Sequence, residues 1–274
     1  MKKNLKSLVI SFFVVATLFT VIIALIISYG FVNNFNNQLK KPNNTMKEEA
    51  YVEALSDQVT LGETEDMGNE YIDKIIFLGE STTYGLQRYG VLKDGVNTNQ
   101  VWTGATLNNG KIASAGTLSL SPDILNTKIF YPDTKEALTI SQAIYKKSPE
   151  VLIITLGLNN GASYYSENEF KSCFRLLLNL ISETDTKVIL QSIFPTSKDC
   201  IIKAYTPERI KLCNSWVYDV AKEYGVNFLN TFEALSDENG YLKPEFDNGG
   251  DGIHLNAAGL NEVIKYIKNH GVRL

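Results

Sequence analysis

The hydrophobic pattern divides the chain into three. Residues 7–32, "SLVISFFVVATLFTVIIALIISYGFV", carry no charge and little polarity. As a helix rising about 1.5 Å per residue, that run reaches about 39 Å, longer than the ~30 Å hydrocarbon core of a bilayer. Lys2, Lys3 and Lys6 precede it, and the next cations, Lys40 and Lys41, stand well past its end. The positive-inside rule then places residues 1–6 in the cytoplasm, 7–32 across the membrane and everything after outside the cell. A cleaved leader, with Ser28 and Gly30 as small residues before the cut, is the alternative, but the apolar run is long for a leader. Residues 33–70 are rich in Asn, Gln, Lys and Glu without a sustained apolar stripe, and read as an extracellular stalk with helical potential around "TMKEEAYVEAL".

From residue 71 onwards the pattern changes to short apolar runs alternating with helical periodicity. The strand-like runs are "YIDKIIFLG" (71–79), "VLIITLG" (151–157), "KVILQSIFP" (187–195) and "VNFLNTFEAL" (226–235). Runs that are apolar on both faces suit a parallel sheet covered on each side. Helices are expected over "TISQAIYKKS", over "SENEFKSCFRLLLNLISET" with Ser166 and Glu169 as a capping box, and over "TPERIKLCNSWVYDVAKEYG". The last of these opens on Thr206 and Pro207 and stops at Gly225; a final helix follows over "NAAGLNEVIKYIKNHG". The alternation predicts one three-layer α/β domain over residues 71–274, with ligands at the carboxyl ends of its strands. Residues 90–135, crowded with Gly, Asn, Thr and Ser, read as loops at one side of the sheet.

Composition narrows the chemistry. With 44% hydrophobic residues the chain buries a full core, and a net charge of -4 with no long basic cluster excludes a nucleic-acid partner. Cys173, Cys200 and Cys213 are widely spaced, lack a C-x-x-C pair, and suggest neither zinc nor redox work. Cys173 reads as a core residue, and an exported chain has thiols enough to oxidise one pair. No metal or other cofactor is expected, and the sequence is silent on oligomeric state.

The polar clusters sit where the strands end. In "IIFLGESTTYGL" the first strand runs into Ser81, Thr82 and Thr83. These hydroxyls fit a helix cap and a nucleophile equally well, since a helix N-terminus favours negative charge. A nucleophilic serine needs a base, and the chain has two histidines. His270, in a Lys/Asn-rich helix end, reads as a solvated residue near the last carbonyls. His254 lies in "GGDGIHLNAAG", three residues after Asp251, a spacing that lets a carboxylate hold Nδ1–H while Nε2 faces a serine. In "LGLNNGAS", Asn159 follows the second strand, where its amide fits either an oxyanion donor or an Asx turn.

Taken together, "GES" with a following Thr, "GLNN" and "DGIH" resemble blocks I, III and V of the SGNH or GDSL hydrolase family, over roughly residues 72–271. The resemblance implies a flavodoxin-like α/β/α fold and a metal-free serine esterase. By position, Ser81 corresponds to the nucleophile, His254 to the general base and acid, Asp251 to its orienting carboxylate and Asn159 to an oxyanion donor beside the Ser81 N–H. The family's second block is a glycine completing the oxyanion hole; Gly116 and Gly104 compete for it, with Gly116 closer to the usual spacing. Glu80 stands where the family has Asp in "GDS", and Asn160 where it has Asp in "GxND"; neither position performs the transfer.

An anchored extracellular esterase meets acylated glycans and lipids. Similarity to carbohydrate O-acetylesterases points to an O-acetylated cell-surface or environmental glycan, with Trp102, Tyr164 and Tyr165 as loop aromatics able to stack on sugars; Trp216 reads as helix core. The alternatives on the same residues are a lysophospholipase or thioesterase and a glycan O-acyltransferase, and outside enzymes, a surface binding module without turnover.

Overall fold

The computed structural model describes residues 59–274; the tail 1–6, the apolar run 7–32 and most of the stalk lie outside the described residues. Among the described residues no helix is long and apolar enough to cross a membrane. In chain order, α1 (Gly68–Ile72) leads to β1 (Ile75–Gly79), α2 (Ser81–Arg88), β2 (Val101–Trp102), β3 (Ala105–Asn108), β4 (Lys111–Ser114), β5 (Lys128–Tyr131) and β6 (Glu136–Thr139). Then come α3 (Ile140–Lys147), β7 (Val151–Thr155), α4 (Glu167–Ile181), β8 (Lys187–Gln191), α5 (Pro207–Tyr224), β9 (Asn227–Leu229), α6 (Thr231–Leu235) and α7 (Ala257–Lys268).

Five strands form a parallel sheet in the order β2-β1-β7-β8-β9. Their apolar residues alternate between two cores, as the period-2 geometry of a strand requires. Ile76, Leu78, Leu152, Ile154 and Leu190 pack with α3, α4 and α5. Ile75, Phe77, Val151, Ile153 and Ile189 pack with α1, α2 and α7 on the other face. Each such side chain, fully buried, contributes about 1.5–3 kcal/mol. The three-layer arrangement expected from the sequence is therefore present, and β1 pairs residue for residue with β7, Gly79 opposite Thr155. Because the chain leaves β1 towards β2 and later returns to β7 on the other side, the strand order reverses between β1 and β7, where such sheets open a crevice.

The long helices begin as their sequences imply. Ser166 and Glu169 form the capping box of α4, and Thr206 caps α5 ahead of Pro207. Gly225 ends α5 in the left-handed conformation.

Five local expectations are corrected. The run 226–235 is a strand only over Asn227–Leu229 and turns into α6. Residues 71 and 72 close α1 rather than opening β1, and the strand in 187–195 stops at Gln191. The segment 90–135 contains β2 and most of two antiparallel hairpins, β3–β4 and β5–β6. Asn109 and Gly110, with φ 49° and 74°, make the two-residue turn of β3–β4, a pairing of positive φ values that matches strand twist. Residues 59–67, assigned above to the stalk, lie against the domain: Leu61 donates its N–H to Phe228 O at 2.8 Å, and Thr64 to Asn269 O at 2.6 Å.

Candidate active site

Ser81 is the first residue of α2. The residue before it, Glu80, is extended at φ -93° and ψ -157° and makes no side-chain bond to the helix. Ser81 thus stands one position inside the cap, and its Oγ lies 2.8 Å from His254 Nε2. Thr82 and Thr83 are buried, at 5% and 3% exposure.

His254 comes from the loop that joins α6 to α7. Asp251 organises that loop: its Oδ1 accepts the N–H groups of Ile253 at 2.8 Å and His254 at 3.1 Å, and its Oδ2 lies 2.6 Å from His254 Nδ1. A carboxylate at Nδ1 fixes the proton there, so Nε2 is left to accept from the Ser81 hydroxyl. Burial raises the Asp251 carboxyl, but the Ile253 N–H and the His254 ring and N–H outweigh it and hold the carboxyl below its ordinary range. The loop after β8 props the turn from behind, with Ser197 N–H on Gly252 O at 2.8 Å and Ile201 N–H on Asp251 O at 3.1 Å. His270 lies elsewhere, its Nδ1 on Tyr266 O at 2.9 Å near the end of α7.

Asn159 sits in the turn after β7. Its Nδ2 donates to Leu118 O at 3.3 Å, which orients the amide and leaves its second N–H for another acceptor. The turn is tied to β1 by Glu80: this 1%-exposed side chain accepts Leu158 N–H at 2.9 Å and Asn159 N–H at 2.7 Å. Burial pushes the Glu80 carboxyl up to about 8, although the N–H groups of Asn159 and Leu158 oppose the rise. From the other side Arg209 donates to the carbonyls of Ala162, Gly161 and Tyr165 at 2.9, 2.9 and 2.6 Å. Asn160, at φ 67°, accepts from Tyr164 Oη at 2.7 Å.

The two candidate glycines separate clearly. A Cβ on Gly116, which has φ 61°, would lie 3.1 Å from Ser81 Cα, so its backbone runs against the serine. A Cβ on Gly104 would instead meet Thr117 Oγ1 at 2.5 Å and Leu118 N at 2.8 Å, which puts Gly104 against the 117–118 backbone. Of the three aromatics proposed for sugar stacking, Trp102 is corrected: it is fully buried in β2 against Tyr131. Tyr164 is exposed, and Tyr165 packs partly buried on the core. Trp216 is in the core, at 6% exposure, as expected. Cys173, Cys200 and Cys213 are free, buried thiols, and burial pushes those of Cys173 and Cys213 up to about 11.

Sequence reasoning missed the cleft beside Ser81. It has a volume of about 330 Å³, and α2 lines it with Ser81, Thr82, Tyr84, Gly85 and Arg88, continued by Tyr89 just past the helix end. All but Thr82 fall at i, i+3, i+4, i+7 and i+8, one face of a helix. The signal was in the sequence, hidden because a polar and aromatic stripe was not read for periodicity. The roles of Glu80 and Arg209 in holding the Asn159 turn had no sequence signature.

A hydroxyl, imidazole and carboxylate in this relay, beside backbone and amide N–H donors, can transfer a serine proton as the oxygen attacks a carbonyl. The family model described as GDSL-like Lipase/Acylhydrolase matches residues 77–260. A GDSL-like lipase from Bacteroides thetaiotaomicron VPI-5482 superposes with a TM-score of 0.51 at 19% identity, covering 80% of this chain and 94% of that one. A Bacteroides fragilis NCTC 9343 protein assigned as an acylhydrolase gives 0.52 at 16% identity, over 83% and 96%. These two likenesses are of fold. None of the curated proteins compared matches the sequence. The family match covers well over half of the chain, which therefore belongs to the GDSL-like lipase/acylhydrolase family, a family of serine ester hydrolases.

Proposed function

We propose that this protein removes small acyl groups, O-acetyl foremost, from a glycan outside the cell, held at the membrane by residues 7–32. The observation that carries the reading is the unbroken relay from Ser81 Oγ to His254 Nε2 at 2.8 Å and from Nδ1 to Asp251 at 2.6 Å. In the first step Ser81 Oγ bonds to the ester carbonyl carbon as its proton passes to Nε2. Charge develops on the carbonyl oxygen, which the N–H groups of Ser81 and Gly116 and the Asn159 amide would receive. The carbon–oxygen bond to the sugar then breaks, and the sugar oxygen takes the proton from His254. Water repeats the sequence on the acyl-serine, giving the acid and restoring Ser81.

The cleft supports a small acyl group on a polar alcohol. Arg88, Asn248 and two tyrosines line it, while Ala115 and Leu255 are its aliphatic contributors. A long acyl chain needs an apolar groove. The test is hydrolysis of 4-nitrophenyl acetate, butyrate and octanoate by the full chain. Turnover should depend on Ser81 and fall with chain length; an octanoate preference would replace this reading with a lipid one.

A further inference from the structure

The cleft has a direction. Its α2 wall runs from Ser81 to Arg88, seven residues or two helical turns, a rise of about 10 Å. At the Ser81 end stand His254 and Asp251, whose carboxylate is occupied by the His254 ring and two backbone N–H groups. Tyr84 lies one turn along that wall from Ser81, Arg88 and Tyr89 stand at its far end, and Asn248 also lines the cleft. Gly85 adds no side chain between them; a Cβ there would stand 3.2 Å from Leu260 Cδ1 of α7.

Arg88 differs from Arg209 and Arg175. Arg209 is committed to three carbonyls, and Arg175 is paired with Glu223 at 2.9 Å. Arg88 is exposed, lines the cleft, and has no carboxylate or hydrogen-bond partner among the described residues. A guanidinium presents a planar fork of donors that matches a carboxylate or phosphate oxygen pair. Two tyrosine rings beside it supply flat apolar faces with polar tips, suited to a sugar ring.

We propose that the α2 cleft is a subsite for an anionic unit of the substrate, with Arg88 pairing a carboxylate or phosphate borne next to the acylated sugar. The proposal rests on Ser81 as the nucleophile and a glycan as the substrate. An anion at the Arg88 end stays about two helical turns from the site of attack, away from the Asp251 charge. The acyl-bearing unit then lies over Ser81 with its neighbour along the tyrosines, and Arg88 selects anionic polymers over neutral ones.

Binding to the full chain carrying Ser81→Ala, which cannot turn over, tests this by calorimetry. Three probes are compared at low salt: an acetylated oligogalacturonide, an acetylated glycerol-phosphate oligomer and an acetylated neutral xylo-oligosaccharide. At least one anionic probe should bind about tenfold or more tighter than the neutral one, as for a hydrogen bond to a charged group. Which anionic probe wins says whether the partner is a carboxylate or a phosphate. Adding Arg88→Ala should bring the anionic affinity down to the neutral level, and Arg88→Lys should keep part of the preference. Equal binding of all three, no binding, or a preference that survives Arg88→Ala overturns the proposal. Wild-type hydrolysis of 4-nitrophenyl acetate is followed separately: its absence overturns the esterase reading, whereas its presence without anionic preference overturns this inference alone.

Discussion

Ser81 and Ser166 both stand at the start of a helix in the crossover after a sheet strand, yet their hydroxyls do opposite things. Ser166 is the N-cap of α4: its Oγ accepts Glu169 N–H, and the Glu169 carboxylate binds the Ser166 N–H at 2.8 Å. Everything polar about Ser166 is consumed in starting the helix. Ser81 is one residue further in, so the cap position falls to Glu80, which turns its carboxylate away to the Asn159 turn. The shift by one residue leaves the Ser81 hydroxyl for His254. It also leaves the N–H of Ser81 among the unpaired donors of a helix's first turn, where an oxyanion can use it.

The comparison breaks first at Ser81→Ala. Turnover should fall by about 10⁴-fold or more while the far-UV and thermal signatures of the folded domain persist. Retained turnover would make Ser81 an ordinary helix residue.

Glu80→Gln probes the displaced cap. The amide offers one acceptor where the carboxyl offers two oxygens to Leu158 and Asn159, so the variant should lose about 1–3 kcal/mol at pH 5. The pH sign follows from burial. Glu80 is lifted from 4.5 to about 8, so the folded chain holds a proton that the unfolded chain has released across that window. Wild-type stability therefore carries a term that falls as pH rises from 4.5 through 8, whereas glutamine does not titrate. The gap between the two proteins in urea unfolding should shrink from pH 5 and reverse by pH 9, since the full shift outweighs the lost hydrogen bond, and a constant gap would show that Glu80 does not titrate there.

Ser166→Ala is the mild counterpart. It should cost about 1 kcal/mol of stability through the lost cap and leave kcat unchanged. A drop in kcat as large as that of Ser81→Ala would erase the distinction between the two serines.

The relay was legible because each member carries a local signature: Ser81 after an apolar strand, and Asp251 three residues before one of only two histidines in the chain. The capping boxes were legible for the same reason. What escaped depended on neighbours distant in sequence. Trp102 looked like a loop aromatic until β2 set it in the sheet, with the β5 residue Tyr131 against its ring. The run 226–235 is apolar enough for a strand throughout, and its turn into α6 is supported by the Phe232 N–H bond to Ser192 Oγ, 40 residues away. The β3–β4 turn was signalled by Asn109-Gly110, but the flanking strands bury no residue and lack the apolar alternation that makes such a signal persuasive. Glu80 looked inert because the bonds it makes lie 78 and 79 residues further on.

The bond between Ser81 and His254 joins residues 173 positions apart. During synthesis the strand, the serine and the start of its helix emerge long before the histidine, and α7, which follows that histidine, closes over the same core as β1. A partly made or partly refolded chain therefore holds a serine without its base. Catalysis switches on only once this long-range contact has closed, so the appearance of activity reports a late event in folding.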